Sequence, residues 1–407
     1  MLRSAWTVAC VYLAFSAGSA LAQSPFLEPP LDRRVEGYQA VGGRVGSFAI
    51  LPSAIVSGVY DGNVFATSRG RQDDYVLDMR PEIVARSGWS RHLLEFRMGG
   101  QILEFDRFSS ENQANFFAGA NGHYEIASDM RVVAFTNYAH SHEARGTGNS
   151  FELFDKPIAY DRVEGGALLH KTFNRLWTEV GGSARADTYQ NTTLNGVVVD
   201  QQYRNVTVTE AVNRTGYEVS PKTSLFVETA YGWRDYEDTT FDNQGYRVLG
   251  GVQMEASRIL RGEVSGGWMS YSGEGAANVG SVDTYSYRAR VFWEPTTLIL
   301  VAITGGRDVG VSAEGGKSLT VTSDLGVRVD YELLRNLILT GRFGYQFTDY
   351  LGSSRRDELR KAEFLTEYLM SRTWSLVGSY AFTDFDSTTA DLDYSKHVVS
   401  LGVRARY

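Results

Sequence analysis

Cysteine occurs once in this chain of 407 residues, as Cys10. Cys10 lies in an N-terminal apolar stretch that we predict to be removed from the mature protein. The mature protein would then have no disulfide, no thiolate metal site and no reactive thiol. An exported protein of this size without disulfides must obtain its stability from another source.

Long apolar runs are also missing from the mature part of the chain. No segment after the N-terminal stretch holds about 18 consecutive apolar residues, which excludes a membrane-spanning helix. The mean hydropathy is negative, at −0.24. Neither observation excludes a membrane β-barrel, because only alternate residues of its strands meet lipid. We also find no convincing amphipathic helical pattern, which a globular domain of this length would usually contain.

Proline is scarce and basic residues are outnumbered. The chain has 8 prolines against 42 glycines, 23 tyrosines and 21 phenylalanines, a composition that suits long paired strands with aromatic girdles. The formal net charge is −8, and removal of residues 1–22 would remove one arginine and leave the protein more acidic. This balance argues against nucleic acid as a partner.

The N-terminus has the pattern of a secretory signal peptide over residues 1–22. Arg3 precedes an apolar core, and the small residues Ala20 and Ala22 stand at the −3 and −1 positions of a cleavage site. Cleavage after Ala22 is therefore predicted. A membrane anchor is disfavoured because the core is short, and Cys10 is not placed for lipid attachment.

Residues 23–45 form a predicted irregular, periplasmic lead-in. They contain Pro25, Pro29 and Pro30 together with charges of both signs, a composition that breaks regular structure. The alternative is that this segment is a small plug or binds a partner.

The last strand of the chain shows the clearest alternation. One face would carry Val399, Leu401, Val403, Ala405 and Tyr407, and the other Lys396, Ser400, Gly402, Arg404 and Arg406. A period of two with one apolar face indicates a β-strand. A half-apolar strand needs a partner on both edges, so we predict that it pairs with the first strand of a closed barrel.

The same alternation recurs along the whole chain. The first three strands are predicted near 48–60, 75–85 and 92–102. Later ones are predicted near 113–126, 131–142, 157–170, 175–188, 202–218, 223–236, 244–257, 260–271, 282–294, 298–307, 318–331, 337–350, 359–370, 374–384 and 395–407. Short connections alternate with long polar ones, as in bacterial outer-membrane barrels.

These patterns predict an all-β fold, a single transmembrane antiparallel β-barrel over residues 46–407 with about 18 strands. Sixteen strands is the alternative count. An even number would place both termini on the periplasmic side.

Three stretches carry a resemblance to a known family: residues 46–67, 81–96 and 217–226. They resemble the putative β-barrel porin 2 family of bacterial outer-membrane proteins. The resemblance implies an integral outer-membrane barrel that contacts lipid and lipopolysaccharide. It also implies recognition of Val399, Leu401, Val403, Ala405 and terminal Tyr407 by the barrel assembly machinery. Some members are associated with exopolysaccharide genes, and the family offers no established catalytic residues to carry over.

Enzymatic chemistry has one candidate, the sequence His140-Ser141-His142-Glu143. His140 and His142 share a strand face and could bind a metal or orient a nucleophile. We favour two polar residues at a loop base, because no third ligand and no nucleophile can be identified. The prediction is therefore a non-enzyme without metal or cofactor.

Inward-facing charges are the candidate pore lining. They are Glu95, Arg97, Glu179, Arg185, Glu228, Arg234, Arg247, Glu255, Arg288, Arg290, Asp324, Arg328, Arg342 and Arg404. Such side chains would be costly in lipid, so they belong in the lumen. We favour mutual neutralisation in a wet wall. The alternative is an arginine ladder of Arg288, Arg290, Arg328 and Arg342 for anionic solutes.

Inward aromatic residues, Trp177, Phe226, Tyr236 and Phe292, could stack on sugars or only pack against loops. The leading function predicted from the sequence is a porin-like channel for polar solutes. The alternatives are an outer-membrane conduit for exopolysaccharide, working with polysaccharide-export components, and a surface or structural barrel without conductance.

Overall fold

Eighteen long antiparallel strands form the architecture. The computed structural model describes residues 37–147, 154–255, 259–273, 280–312 and 318–407. The strands are β1 (Phe48–Asp61), β2 (Asp74–Ser87), β3 (Leu93–Phe105), β4 (Gln113–Ala127), β5 (Met130–His142), β6 (Ala159–Phe173), β7 (Leu176–Tyr189), β8 (Val206–Ser220), β9 (Thr223–Tyr236), β10 (Asn243–Met254), β11 (Leu260–Gly273), β12 (Ser281–Thr296), β13 (Ile299–Ser312), β14 (Ser318–Leu334), β15 (Leu337–Tyr350), β16 (Arg356–Leu369), β17 (Trp374–Ser387) and β18 (Tyr394–Arg406).

Each strand pairs with its neighbours in sequence, and β18 pairs with β1 to close the ring. The seam runs in register from Ser53 opposite Arg406 to Asp61 opposite Val398. Closure satisfies the backbone N–H and C=O groups of both terminal strands, which lipid could not do. The predicted closed barrel of about 18 strands is therefore confirmed.

Gly402 is needed where β18 lies against β1 at the seam. A Cβ added to Gly402 would lie 2.1 Å from Ser57 Oγ and 2.5 Å from the Val56 carbonyl oxygen. These distances are far inside van der Waals contact. Only glycine therefore lets β18 approach β1 this closely.

Alternation separates an apolar outer face from a polar interior. On β18, Val399, Leu401 and Val403 are exposed outward, with Leu401 exposed by 70%. Arg404 and Arg406 of the same strand are buried inside the barrel. Tyr407 follows the strand and donates its N–H to the Pro52 carbonyl at 3.0 Å. The outer face is the surface that contacts membrane lipid.

The described ranges also contain three short strands that do not span the wall. Gly43–Val45 folds back on the start of β1, with Val45 opposite Phe48. Thr192–Leu194 and Val197–Val199 form a hairpin between β7 and β8. No helix in the described ranges is both long and apolar enough to cross a bilayer.

Observed bounds differ from the predicted ones in informative places. The strand predicted near 202–218 begins at Val206, because residues Gln202–Arg204 form a 3-10 turn. The strand predicted near 298–307 continues to Ser312, through residues whose glycine and aspartate content suggests a loop. Pairing with β14 holds this extension in the sheet. Local composition is therefore a weaker signal here than hydrogen bonding between strands.

Connections at the two ends of the barrel differ in length, as predicted. Phe48 and Arg406, the ends of the closed wall, both lie at the end with the short turns. We call this the short-turn end and the opposite one the long-connection end. The predicted periplasmic location of the short-turn end stays a prediction.

Candidate functional site

The barrel encloses one large cavity of about 1790 Å³. Every strand except β10 contributes to its lining. The lining reaches Leu298 and Ile338 near the short-turn end and Tyr350 and Tyr394 near the long-connection end. Acidic and basic side chains line it in equal number.

A buried charge network fills the side of the barrel near β10. Arg247 is 1% exposed, and its guanidinium lies 3.5 Å from Glu210, 3.6 Å from Glu228 and 3.8 Å from Asp308. Arg288 lies 3.1 Å from Glu228. Charges removed from water need such partners, because an isolated one would be very costly. The open cavity is therefore displaced toward the other strands.

Aromatic rings and Arg214 extend this filled side toward the short-turn end. Arg214 bonds to Glu263 at 2.7 Å and lies over the Phe226 ring at 3.7 Å. The Trp177 and Phe226 rings are 6.5 Å apart, and both side chains are buried. Of the four inward aromatic residues considered for sugar stacking or for packing, Tyr236 and Phe292 line the cavity.

An apolar cluster occupies the lumen at the long-connection end. Phe241, from a 3-10 turn between β9 and β10, packs with Met269, Tyr271, Val309 and Leu319. Burial of these side chains holds the turn inside the barrel. The long connections thus narrow this mouth as well as link strands.

The connection between β5 and β6 is tied inward by a buried ion pair. Arg145 bonds to Glu111 through Nη2 at 2.6 Å and Nε at 2.9 Å, and Nη2 also donates to the Phe154 carbonyl at 2.8 Å. The side chains of Arg145 and Glu111 are 4% and 2% exposed. Tyr394 Oη donates to the Gly146 carbonyl at 3.1 Å and so joins this connection to β18. We call residues 143–147 and 154–158 the strap.

The strap is also joined to the hairpin between β7 and β8. The carboxylate of Asp155 accepts hydrogen bonds from the backbone N–H groups of Asn195 and Gly196, both at 2.9 Å. The Gly196 N–H, with the Thr193 side chain, holds the pKa of Asp155 below its ordinary value. These contacts place the hairpin and the strap together at the long-connection end.

The structure divides the predicted pore-lining residues into three groups. Those that line the cavity are Arg185, Arg234, Arg290, Arg328, Arg342 and Arg404. Those that lie in strands but outside the cavity lining are Glu95, Arg97, Glu179, Glu228, Arg247, Arg288 and Asp324. Glu255 is exposed and follows the end of β10.

Most lining arginines have a carboxylate partner. Arg342 lies 2.9 Å from Glu363, Arg328 lies 2.9 Å from Asp330, and Arg404 lies 2.7 Å from Glu367. Pairing neutralises these charges locally, as the favoured interpretation of the sequence expects.

Sequence reasoning missed Lys361, Glu367 and the Arg145–Glu111 pair. Lys361 and Glu367 line the cavity from β16. That strand begins with charges on both of its faces, so alternation gives no signal for which ones point inward. The Arg145–Glu111 pair joins two connections, where no periodic pattern exists.

His140 and His142 each have an ordinary polar partner. Their Nδ1 atoms lie 2.9 Å from Asp161 Oδ1 and Asn115 Oδ1 respectively. Within the ranges that the structure describes, no cluster of three His, Cys, Asp or Glu residues is arranged to hold a metal ion. The contacts fit polar residues near a loop base.

The described part of the lead-in reaches the short-turn mouth. Tyr38 and Gln39 line the cavity there. Arg406 donates to the Tyr38 carbonyl at 3.3 Å, and Arg372 donates to the Gly37 carbonyl at 3.2 Å. Residues 37–39 therefore narrow this mouth.

Comparison with known proteins gives one family match. The model of the family described as Putative beta-barrel porin 2 matches residues 36–407. A search among curated proteins finds no match. Similar solved structures include a BenF-like porin from Pseudomonas fluorescens Pf-5, with 9% identity, a TM-score of 0.46, and coverage of 90% of this chain and 100% of that one. The opdK outer membrane protein of Pseudomonas aeruginosa has 11% identity, a TM-score of 0.45, and coverage of 88% and 99%.

Proposed function

This chain belongs to the putative beta-barrel porin 2 family, and from this premise we propose that it is a passive channel for small polar solutes across the outer membrane. It is an integral outer-membrane barrel with a porin-like fold. Passive passage needs a water-filled route through the barrel, and no energy source.

The observation that supports this proposal is the cavity. It follows the strands from Leu298 near the short-turn end to Tyr394 near the long-connection end, and charges of both signs line it. A charged lining favours water over lipid or packed apolar side chains. The charge network at Arg247 fills only one side of the lumen.

The alternatives have less support. Export of an exopolysaccharide calls for a track of accessible aromatic rings. Tyr236 and Phe292 line the cavity, but Trp177 and Phe226 are buried and Arg214 covers the Phe226 ring, so the four rings do not form such a track. A purely structural barrel calls for a filled interior, whereas the cavity is about 1790 Å³. We propose no catalytic residue and no cofactor.

Export and assembly are proposed on the sequence pattern. Residues 1–22 are the proposed signal peptide, with Ala20 and Ala22 at its cleavage site, and both lie outside the described residues. Residues 23–45 are the proposed periplasmic lead-in. The exposed face from Val399 to Tyr407 is proposed to be read by the assembly machinery.

Planar-bilayer recording of the purified, heat-modifiable barrel tests the proposal. The mature chain would lack cysteine, so a single introduced thiol can be labelled without background. Thr304→Cys places the thiol on the cavity wall. Gly58→Cys is the matched control on the outer face, where an added Cβ meets no atom within 4 Å.

We expect channel events in the unmodified protein. A bulky thiol reagent should lower the single-channel conductance of Thr304→Cys and leave that of Gly58→Cys unchanged. A folded barrel without channel events would overturn the proposal. Flanking glycosyltransferase and polysaccharide co-polymerase genes would instead favour export.

A further inference from the structure

Two cationic side chains in the lumen differ from the charges around them because they form no ion pair in the described ranges. Arg290 on β12 and Lys361 on β16 both line the cavity. Within the part of the chain that the structure describes, neither has a carboxylate within 4 Å or a hydrogen-bond partner. In the same described ranges Arg234 also lacks a carboxylate at that distance, but it donates to Asn243 and to the Val309 carbonyl.

Each carboxylate near these two cations is already engaged by another group. Glu263 stands opposite Arg290 across the β11–β12 pairing, but it bonds to Arg214 at 2.7 Å. On β16, Glu363 bonds to Arg342 at 2.9 Å. Rearrangement to pair Arg290 or Lys361 would therefore leave another charge without its partner.

The two cations lie in one cross-strand row. Arg290 is opposite Thr304, Thr304 opposite Gly326, Gly326 opposite Gly344, and Gly344 opposite Lys361. Four strand spacings of roughly 4.8 Å separate the cations by about 19 Å along the wall. Because barrel strands tilt by roughly 40°, the row climbs, and the cations lie about 12 Å apart in depth.

The residues between the two cations are small. Thr304, Gly326 and Gly344 all line the cavity. A Cβ added to Gly326 would lie 2.7 Å from Thr304 Oγ1. With glycine at this position, no side chain projects into the lumen from this part of the wall. The wall between the two cations therefore leaves free space in the lumen, and an unpaired positive charge lies at each end of the row.

In the described ranges, the carboxylates without a cation lie outside this row. Glu164 lines the cavity from the opposite wall, where it keeps its negative charge and accepts a hydrogen bond from Asn137 at 3.3 Å. Asp324 has no ion pair in the described ranges, but it does not line the cavity. An unpaired charge on a low-dielectric wall acts at longer range than a neutralised pair.

We propose that Arg290 and Lys361 make the channel selective for small anions, which contact the two cations in succession. This rests on the proposed function, since selectivity requires conduction. The solute class is small inorganic or organic anions such as chloride and carboxylates. Most other charges of the wall are in ion pairs, as Arg342 is with Glu363.

The test is the reversal potential of single channels under a potassium chloride gradient. We expect the unmodified barrel to prefer chloride over potassium by roughly three- to tenfold at 0.1 M salt, since charged clefts raise local counter-ion concentration by about this much or more. The preference should fall toward one at 1 M, where the Debye length is about 3 Å.

The Arg290→Gln/Lys361→Gln variant should conduct with little or no preference. The matched control is Asp61→Asn/Lys396→Gln, which removes a 2.6 Å lumen ion pair without changing the net charge. The control should keep the chloride preference. Heat-modifiability shows whether each variant is folded.

Each result has a distinct meaning. If no folded barrel conducts, the proposed function fails. If the unmodified barrel conducts with no preference, or prefers potassium, the selectivity proposal is overturned while the channel stands, and this holds even where a variant does not fold. A double variant that keeps the full preference also overturns it.

Discussion

Replacement of Arg145 by methionine tests whether the strap is held by its buried ion pair. The change removes three hydrogen bonds, two to Glu111 and one to the Phe154 carbonyl. It leaves Glu111, whose side chain is 2% exposed, without its cation. Methionine keeps most of the side-chain volume, so the effect is mainly electrostatic.

The magnitude follows from burial. Removing one partner of a buried pair typically costs about 3–5 kcal/mol, because the other charge is left uncompensated. The strands hold their own hydrogen bonds, so we expect this cost to fall on the strap and not on the wall. At 1.4 kcal/mol for each factor of ten, detachment of the strap should become roughly a hundred- to a few thousandfold more frequent.

Limited proteolysis with thermolysin measures this detachment. Arg145→Met should be cut between β5 and β6 much faster than the unmodified protein and should remain heat-modifiable. Lys171→Met is the control, because Lys171 pairs at 2.6 Å with Asp129 on an exposed turn. Loss of such a surface pair costs at most about 1 kcal/mol, so its cleavage should be unchanged.

The double variant Glu111→Met/Arg145→Met completes a double-mutant cycle for this ion pair. An apolar pair of similar volume can replace a buried ion pair at little cost, so cleavage should return most of the way to the unmodified rate. Unchanged cleavage in the single variant, or a double variant as sensitive as the single, would refute the assigned role of the pair.

Three further predictions concern the seam, the lipid face and the hairpin. Gly402→Val should prevent barrel closure and heat-modifiability because its side chain would overlap β1, whereas Gly58→Val should be tolerated. Leu401→Lys puts a charge on the lipid face and should cost about 2–4 kcal/mol near mid-membrane, lowering the barrel's level in the outer membrane, whereas Ser400→Lys in the lumen should not. Asp155 has a lowered folded-state pKa, so its contribution is present above the unfolded-state pKa and is lost as the pH falls below about 4. Thermolysin is inactive there, so pepsin cleavage of the hairpin should rise on acidification, and Asp155→Asn should remove that pH dependence.

Alternation in sequence predicts the wall because it is local. Val399, Leu401 and Val403 alternate with Ser400 and Gly402, and a strand places neighbours on opposite faces whatever its partners are. Repeating this pattern predicts the strands and, through the need to satisfy every backbone group, the closed ring. The predicted strand ends were less accurate where turns and extensions depend on pairing between strands, as at Val206 and Ser312.

The interior was decided by contacts between distant parts of the chain. Asn63 Nδ2 donates to the Ser395 carbonyl, and Arg145 meets Glu111 from another connection. Alternation indicates that Arg290 and Arg342 both point inward. Among the residues that the structure describes, Arg290 has no ion pair, whereas Arg342 bonds to Glu363. Which charges are neutralised depends on the register and the side-chain geometry across several strands, and alternation along one strand does not give these. The sequence by itself thus determined the wall and its two faces, and the tertiary structure alone determined the shape and the charge of the lumen.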